Sequence, residues 1–293
     1  MNFRDFWLSN ISAEKPQYKA VFFDVDGTIV SGGMPMPGAE STLQWLREIK
    51  TPFLCLTNDS HHSREQKSQI ISRSGVNVEP GEIISCSHAL GDWVEEHSLT
   101  GSKVFIMGEF GTPCMAEAAG LIPCRNIDEI DECSLVIAGE GYFDWHRTFH
   151  AVMNYFIRHR DRQMIVPNPD SYWPNARKNT MGIGAGAQAR FIAGILEEMK
   201  INIQLVYLGK PHKIIFDYAL KCLQKKFGIS PERSSVLMLG DALFSDIAGA
   251  RNAGLTPALV MTGVTTLEIL EQTPRADVPE LVFDTIGSAE PNK

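Results

Sequence analysis

Near the start of the chain, short apolar runs alternate with longer amphipathic segments. KAVFFDVD (19–26) is followed by PGAESTLQWLREIK (37–50), and TPFLCLTN (51–58) is followed by SREQKSQIISRSG (63–75). The apolar runs are typical of buried strands, and apolar residues three or four positions apart predict helices. Because strand and helix alternate, the sequence predicts an α/β fold with a parallel sheet.

The same alternation returns toward the other end of the chain. QLVYLGK (204–210) leads into IIFDYALKCLQKKFG (214–228), SSVLMLGD (234–241) leads into DIAGARNAG (246–254), and TPALVMTG (256–263) closes the set. We therefore expect both ends of the chain to contribute strands to one core sheet.

A stretch between these two regions has strands and helices of its own. It predicts a smaller α/β cap domain at 86–181, inserted into a discontinuous core formed by 1–85 and 182–293. The candidate strands of the insertion and one of its candidate helices are SKVFIMG (102–108), SLVIAGE (134–140), RQMIVPN (162–168) and HRTFHAVMNYFIRH (146–159).

Polar residues able to bind a phosphate stand at the ends of four predicted core strands. Ligands of open parallel sheets bind in the crevice beyond the carboxyl ends of the strands, so residues far apart in sequence are expected to converge there. These residues are Asp24, Asp26, Thr57, Asn58, Lys210 and Asp241.

Two of these carboxylates lie only two positions apart. Asp24 and Asp26 would face the same way along a strand and repel each other, although Gly27-Thr28 allows the chain to turn and separate them. A divalent cation relieves the repulsion, and hard oxygen ligands select Mg²⁺. Asp241 supplies another carboxylate, and Asp246 lies one helical turn further on, where it would orient the metal's ligands.

A metal and Lys210 that bind phosphate oxygens would make Asp24 a nucleophile and Asp26 a general acid and base. Thr57 and backbone N–H groups would help to stabilise the transferring group. Each residue by itself has an ordinary explanation, such as a turn or a strand-end cap. Their occurrence together and in this order, all at strand ends, favours a phosphoryl-transfer site.

Four motifs on these residues resemble those of the haloacid dehalogenase (HAD) superfamily: DVDGT (24–28), LTN (56–58), GKP (209–211) and GDALFSDIAGARNAG (240–254). The flanking sequences PGAESTLQWL, VPNPDSYWP and LVMTGVTT are similar to the NagD-like class IIA phosphatases. The resemblance covers nearly the whole chain except the N-terminal extension of residues 1–18.

The resemblance implies a Rossmann-like core with an inserted α/β cap. It also implies that Asp24 is the nucleophile and Asp26 the acid and base, with Thr57 and Lys210 as phosphate ligands. The expected activity is Mg²⁺-dependent hydrolysis of a small phosphomonoester, such as a sugar phosphate or a nucleotide, through an aspartyl-phosphate. Cap domains of such folds also offer a surface for a homo-oligomer.

The remaining site residues are implied by the same resemblance. Mg²⁺ would be held by the side chains of Asp24 and Asp241 and by the backbone carbonyl of Asp26, with Asp246 in support. The residues expected to contact the phosphate or to face the substrate entrance are Gly27, Asn58, Asn168 and Asp170.

One position departs from the family pattern. The second motif often reads Thr-Asn-Asn, whereas this chain has Thr57-Asn58-Asp59, which brings an acid near an anionic substrate. We expect Asp59 to cap the following helix rather than to contact substrate. His61 and His62 are expected to be solvated or capping, and one of them could offset the charge of Asp59.

Composition and charge narrow the class of protein. The 27 Lys+Arg against 35 Asp+Glu give a net charge of −8, spread along the chain, which argues against nucleic-acid and anionic-membrane partners. No secretory leader and no apolar stretch long enough to span a membrane are evident, so a cytoplasmic location is predicted. The six cysteines form no Cys-x-x-Cys pair and suit reduced core thiols.

Two weaker signals lie in and beyond the insertion. Residues 184–189, GAGAQA, fit the G-x-G-x-x-A dinucleotide fingerprint, but PNARKNTMGI before them does not read as a strand, so we interpret them as a close-packed helix start. An aromatic bias in the insertion is interpreted as core packing rather than substrate stacking. The residues are Tyr142, Phe143, Trp145, Tyr172 and Trp173.

Three other activities are compatible with an aspartate site on this fold. Phosphoryl transfer to an acceptor stays open. Carbon–halogen cleavage is disfavoured because it does not need Asp26 or the metal set. A phospho-accepting signalling domain is also weighed, but receivers are short single domains, whereas this chain has a cap-sized insertion.

Overall fold

The computed structural model describes residues 1–175 and 180–288. Internal contacts divide the chain into two compact units, and each is built from segments that are not contiguous in sequence. The first unit comprises Met1–Thr57, Arg64–Ile84 and the chain from Lys210 onward, and the second comprises Asn58–Ser63 and Ser85–Gly209.

Strands and helices alternate through both units, as the sequence pattern predicts. The strands of the described residues are β1 (Ala20–Asp24), β2 (Val30–Ser31), β3 (Met34–Pro35), β4 (Phe53–Thr57), β5 (Ile83–Ser85), β6 (Lys103–Met107), β7 (Ile122–Cys124), β8 (Leu135–Ala138), β9 (Gln163–Val166), β10 (Tyr172–Asn175), β11 (Thr180–Ile183), β12 (Gln204–Tyr207), β13 (Val236–Gly240), β14 (Thr256–Val260) and β15 (Leu281–Phe283). The α-helices are α1 (Phe3–Ile11), α2 (Ala39–Glu48), α3 (Arg64–Arg73), α4 (Leu90–Glu96), α5 (Met115–Ala118), α6 (Trp145–Arg158), α7 (Ala185–Glu198), α8 (Lys213–Phe227), α9 (Ala248–Ala253) and α10 (Leu267–Gln272).

A six-stranded sheet with the order β15-β14-β13-β1-β4-β5 forms the centre of the first unit. The pairings of β1 with β4 and β13, and of β14 with β13 and β15, are parallel. The chain proceeds from β1 to β4 on one side and from β13 to β14 on the other. The strand order therefore reverses between β1 and β13, which is where open α/β sheets bind their ligands.

The N-terminal extension is part of the first unit's core. Helix α1 buries Phe3 and Trp7, and the Phe3 ring meets the ring of Phe23 edge-on with centroids 5.4 Å apart. The Trp7 indole Nε1 donates a hydrogen bond to Thr51 Oγ1 at 3.2 Å. These residues lie outside the family resemblance, yet they cover one face of the strand that carries Asp24.

The second unit contains a five-stranded sheet with the order β12-β9-β8-β6-β7. All of its pairings are parallel, and α6 and α7 contribute buried residues to its core. Strand β12 was predicted for the core sheet, but it pairs with β9 in register from Gln204 with Gln163 to Tyr207 with Val166.

The predicted domain boundary at Met181 consequently differs from the division by contacts, which places the last residue of the second unit at Gly209. Helix α7 and strand β12 both belong to the second unit. The pattern of β12 shows that it is a strand but not which sheet it joins, because strand pairing depends on distant residues.

Most of the aromatic residues predicted to fill the insertion's core are instead exposed. Tyr142 is 98% exposed, and Trp145, Tyr172 and Trp173 are also exposed. Only Phe143 packs, half-buried, against the second unit's core. Aromatic composition identifies a residue that gains from burial, but the strand or loop position decides whether it is buried.

An apolar face runs along the second unit. A groove of about 630 Å³ between α6 and α7 is lined by Trp145, Phe149, Met153, Ile183 and Phe191, among others. Ile183 also belongs to the β10–β11 hairpin, where it pairs directly with Tyr172. Directly paired residues of two strands point to the same face, and so do residues two positions apart in one strand. Tyr172, as the partner of Ile183, and Met181, two positions before it, therefore extend the apolar face of the groove.

Within residues 1–175 and 180–288, none of the helices has the length and apolar character that a membrane span needs. The six cysteines are free thiols, and four of them are buried, which agrees with the interpretation of reduced core thiols.

Candidate active site

Asp24 is the last residue of β1, the strand next to the point where the strand order of the first unit reverses. All five residues of β1 are buried, so the apolar VFF run fixes the strand and the carboxylate is held at its carboxyl end. Burial, although opposed by Lys210, raises the pKa of the Asp24 carboxyl well above its usual range.

Lys210 is the cation beside Asp24. Its Nζ donates a hydrogen bond to Asp24 Oδ1, a second to Asp246 Oδ1 at 2.8 Å and a third to the Leu56 carbonyl oxygen at 3.3 Å. Burial alone lowers the pKa of the ammonium, but the carboxylates of Asp24 and Asp246 outweigh that effect and raise the pKa above its ordinary value. Lys210 therefore links the end of β4 to two buried acids.

Asp241 follows β13 directly and is fixed from several sides. The Val264 backbone N–H donates to its Oδ2 at 2.6 Å, and the Thr265 hydroxyl donates to its carbonyl oxygen at 2.5 Å. Burial, together with the nearby Asp246 carboxylate, raises the pKa of Asp241 to about 6.

Gly27 is required by this close packing. Its φ of +103° lies in a region of backbone conformation that residues other than glycine rarely adopt. A Cβ at this position would lie 2.4 Å from Asp241 Oδ2. The Thr262 hydroxyl donates to the Gly27 carbonyl oxygen at 2.7 Å. Gly27 thus lets the turn after β1 approach the carboxylate that follows β13.

The three buried carboxylates form a cluster suited to a cation. Oxygens of Asp24, Asp241 and Asp246 all lie within 4.8 Å of one another. Three carboxylates against the single ammonium of Lys210 would leave two uncompensated negative charges if all were ionised. Hard oxygen donors with excess negative charge fit Mg²⁺ or a similar divalent ion.

Asp26 differs from these acids because its side chain is 64% exposed. Its Oδ2 accepts a hydrogen bond from Lys67 Nζ at 2.8 Å and a longer one from Thr57 Oγ1 at 3.4 Å. Lys67 was not singled out from the sequence. The available signal is its position four residues before the buried Ile71 of α3, on the side of the helix that faces the core.

The predicted substrate residues Asn58, Asn168 and Asp170 lie together in the second unit. Asn58 Nδ2 donates to Asp170 Oδ1 at 3.1 Å, and the Asp170 backbone N–H donates to Asn168 Oδ1 at 2.9 Å. Asn168 Nδ2 in turn donates to Glu140 Oε1 at 2.5 Å. The structure thus joins these three residues to Glu140 in one hydrogen-bonded network.

Glu140 is a half-buried acid that the sequence interpretation missed. Burial, partly offset by the hydrogen bond from Asn168, raises the pKa of its carboxyl to about 7, and the carboxylates of Asp59 and Asp170 add to the rise. It lies two residues after β8, where the only sequence signal was a glutamate after a continuous apolar run.

Asp59 caps a turn rather than the helix that was predicted. Its Oδ1 accepts the backbone N–H groups of His61 and His62 at 3.0 and 3.1 Å, whereas α3 begins only at Arg64. His62 Nδ1 lies 2.9 Å from Asp59 Oδ2, where a protonated imidazole would offset the charge of Asp59, as expected for one of the two histidines.

The GAGAQA segment begins α7 and shows close packing. A Cβ on Gly184 or Gly186 would lie 2.2 or 2.0 Å from the carbonyl oxygen of Asp170 or Pro169. The expectation that no strand precedes this segment is wrong, because β11 ends at Ile183. That strand belongs to a two-stranded antiparallel hairpin and not to the parallel sheet that a dinucleotide site requires.

Two family models match the chain. One, described as haloacid dehalogenase-like hydrolase, matches residues 21–122, and another, described as HAD-hydrolase-like, matches residues 207–289. An acid sugar phosphatase of Staphylococcus aureus is 30% identical over 252 residues, which cover 86% of this chain and 90% of that protein.

Solved structures share the fold. A p-nitrophenyl phosphatase from Archaeoglobus fulgidus superposes with a TM-score of 0.75 at 26% identity, covering 92% of this chain and 97% of that one. NagD from Escherichia coli K-12 gives the same TM-score and coverage at 24% identity. At this identity, the likeness to NagD is evidence for a shared fold only. The buried acids at the strand ends, the family matches and these relatives agree: this chain belongs to the haloacid dehalogenase-like hydrolases and is a phosphatase of the NagD-like class IIA branch.

Proposed function

We propose that this chain is a Mg²⁺-dependent phosphatase that hydrolyses a small phosphomonoester through an aspartyl-phosphate on Asp24. The observation that carries the proposal is the group of buried charges at the ends of β1 and β13. There Asp24 lies against Lys210, with Asp241 and Asp246 beside it. Keeping these charges buried is costly unless they are paired with each other and with a ligand, as a nucleophile beside a phosphate and a cation would be.

In the first step, an Asp24 carboxylate oxygen attacks phosphorus as the bond from phosphorus to the ester oxygen breaks. Asp26 gives its proton to the departing oxygen, so the alcohol leaves as a neutral molecule. Lys210 and the Thr57 hydroxyl bind the oxygens of the transferring group and stabilise the charge on them. Asn58 and the backbone at Gly27 add hydrogen bonds in the phosphate region.

In the second step, water attacks the phosphorus of the aspartyl-phosphate. Asp26, now ionised, accepts a proton from that water while the bond between phosphorus and the Asp24 oxygen breaks. Inorganic phosphate leaves, Asp24 is again a carboxylate and Asp26 is again protonated. The exposed position of Asp26 suits a group that must meet both the leaving alcohol and water.

The side chains of Asp24 and Asp241 and the backbone carbonyl of Asp26 would hold Mg²⁺, with Asp246 in support. The bound ion supplies charge neutralisation on the phosphate oxygens and helps to orient the phosphate toward the nucleophile.

For the substrate, we propose a sugar phosphate as the first choice among the small phosphomonoesters. The name of the Staphylococcus aureus relative, an acid sugar phosphatase, supports this choice. We propose that Asn168 and Asp170 contribute to substrate selection. A panel of sugar phosphates, nucleotides and other monoesters with Mg²⁺ tests the choice directly.

The mechanism is tested with Asp24→Asn on a generic aryl phosphate. We expect a loss of at least about 1,000-fold in kcat, because the nucleophile is removed. Asp277→Asn, which alters an exposed aspartate of the same unit, is the control. A chelator should abolish wild-type activity, and added Mg²⁺ should restore it.

Full activity of Asp24→Asn would contradict the proposal. Transfer of phosphate to an added alcohol in place of water would favour a phosphotransferase. A phospho-Asp24 stable for many minutes would favour a signalling acceptor instead.

We also propose that the chain forms a homo-oligomer through the apolar face of the second unit. The exposed parts of Trp145, Tyr172, Met181, Ile183 and Phe191 present on the order of 500 Å² of apolar surface. A standard interface covers about 800 Å² per partner, of which about 65% is apolar in homodimers. The face is therefore large enough for a second copy of the chain.

The cytoplasmic location stays a prediction from the sequence.

A further inference from the structure

Lys67 is a lysine in an unusual environment. It lies in α3, and only 6% of the residue is exposed, whereas lysines are rarely this buried unless they are paired. Ile71, one helical turn later, is fully buried, so Lys67 occupies a position where the helical pattern would favour an apolar side chain. Its Nζ lies 2.8 Å from Asp26 Oδ2.

Asp26 needs a tether if it is to transfer protons. It lies on the turn that includes Gly27, and its side chain is largely exposed, so little packing fixes its rotamer. The Thr57 hydroxyl is 3.4 Å from Oδ2, near the limit of a hydrogen bond. The contact with Lys67 is shorter and charge-assisted, and such bonds are about twice as strong as neutral ones.

We propose that Lys67 is a positioning residue that holds Asp26 by Oδ2 and so leaves Oδ1 to exchange protons with the leaving oxygen and with water. The inference rests on the proposed function, because it assigns Asp26 the acid and base role. Lys67 itself does not touch the substrate. Both donors found for Asp26 among the described residues bond to Oδ2, which supports the division between its two oxygens.

Substrates with different leaving groups depend to different extents on a correctly placed Asp26. An alkyl phosphate needs a proton on its leaving oxygen, whereas 4-nitrophenolate leaves readily without one. The value of kcat/KM reports only the steps up to departure of the alcohol. A misplaced Asp26 should therefore lower kcat/KM for alkyl esters and change it little for the aryl ester. The later attack of water still needs the base, so phosphorylated Asp24 should accumulate with the aryl ester.

The test compares Lys67→Met with wild type on glycerol phosphate and on 4-nitrophenyl phosphate. General acid catalysis contributes about 100-fold or more, so we expect kcat/KM to fall roughly 30- to 100-fold for glycerol phosphate and less than about 5-fold for the aryl ester. A burst of 4-nitrophenol should appear with the variant. Lys67→Arg keeps a charged donor, so its kcat/KM for glycerol phosphate should lie between the values of wild type and Lys67→Met.

Lys226→Met is the matched control, because the exposed ammonium of Lys226 contacts the Gly81 carbonyl oxygen and the Phe227 ring and no acid of the proposed site. Lys226→Met should have the wild-type kcat/KM on both esters. The double variant Lys67→Met with Asp26→Asn removes both charges and so leaves no unpaired buried ammonium. It should be no slower than Asp26→Asn alone, since Lys67 acts through Asp26.

Equal losses on both esters, no loss on either, or a double variant much slower than Asp26→Asn would overturn the inference. If Lys67→Met does not fold, the inference is tested by comparing the rate of the double variant with the rate of Asp26→Asn. These outcomes are distinct from failure of the proposed function, in which Asp24→Asn would keep full activity on the aryl ester.

Discussion

At the residue scale, one acid shielded from water in each unit has a specific partner. Asp24 is paired with Lys210 in the first unit, and Glu140 is hydrogen-bonded by Asn168 in the second. The partners differ in charge, and this difference should change how stability depends on pH. Lys210 compensates a carboxylate, whereas the neutral amide of Asn168 leaves the charge of an ionised Glu140 largely uncompensated.

Glu140→Gln should remove a pH dependence of stability. The pKa of Glu140 is raised in the folded protein to about 7 from an ordinary 4.5, so the folded state favours the protonated form. Its stabilising contribution is complete below pH 4.5 and is lost as the pH rises through 7. Between pH 5.5 and pH 8.5, urea unfolding should show wild type losing roughly 2 kcal/mol of stability that the variant keeps.

Glu198→Gln, at an exposed position of the same unit, controls for the change in net charge. Glutamine keeps an oxygen to accept the Asn168 hydrogen bond, so the packing is preserved. An equal pH dependence in wild type and in Glu140→Gln would show that another group causes it.

Sequence reasoning found part of the site at this scale. Asp24, Thr57 and Asp241 were identifiable because each ends or follows a buried strand, and strand ends converge in a parallel sheet. Lys67 and Glu140 were not, because their importance comes from partners elsewhere in the chain. A lysine on a helix or a glutamate after a strand is ordinary until its environment is known.

At the element scale, helix α1 is the clearest addition to the predicted fold. Residues 1–18 lie outside the family resemblance, and no element is predicted in them from the sequence. The apolar residues of α1 nevertheless recur at helical spacing, and Asn2 caps its start by accepting the Asp5 backbone N–H. The helix then packs in one apolar cluster with Phe23 of β1 and Phe53 of β4.

Trp7→Ala should therefore destabilise the first unit. The side chain is 1% exposed, and truncating a buried tryptophan costs about 3–5 kcal/mol. Leu8→Ala, on the exposed side of the same helix, should cost less than about 1 kcal/mol. Thermal and urea unfolding of both variants measure the difference. Similar stabilities for the two would mean that α1 does not contribute to the core.

Strand β12 shows why an element can be predicted correctly and still be assigned to the wrong sheet. The run QLVYLGK has the composition of a strand and precedes a helix, as core strands do. Its hydrogen bonds go to β9, which lies about 40 residues earlier, since Gln204 pairs with Gln163. Local pattern determines the conformation, while the choice of neighbour depends on the packing of the whole sheet.

At the scale of the whole molecule, the apolar face of the second unit bears on self-association. Phe191 is 57% exposed at its groove, which is unusual for a large apolar side chain within a continuous apolar surface. Phe191→Glu should place a charge in the proposed interface and convert an oligomer into a monomer. Sedimentation of wild type and variant over a range of concentrations measures this.

Leu267→Glu, at an exposed leucine of the first unit, should leave the association unchanged. A wild-type protein that is monomeric at every concentration would contradict the proposed homo-oligomer. A variant that still associates would place the interface on another surface.

The sequence alone determined the alternation of strands and helices, the parallel core and the acids at its strand ends. These features follow from local periodicity and from the rule that parallel strands end at one edge. Only the tertiary structure decided that β12 joins the second sheet, that α1 covers the core and that Lys67 contacts Asp26. Those features depend on pairing and packing between residues distant in sequence, and local pattern carries no information about which distant residues meet.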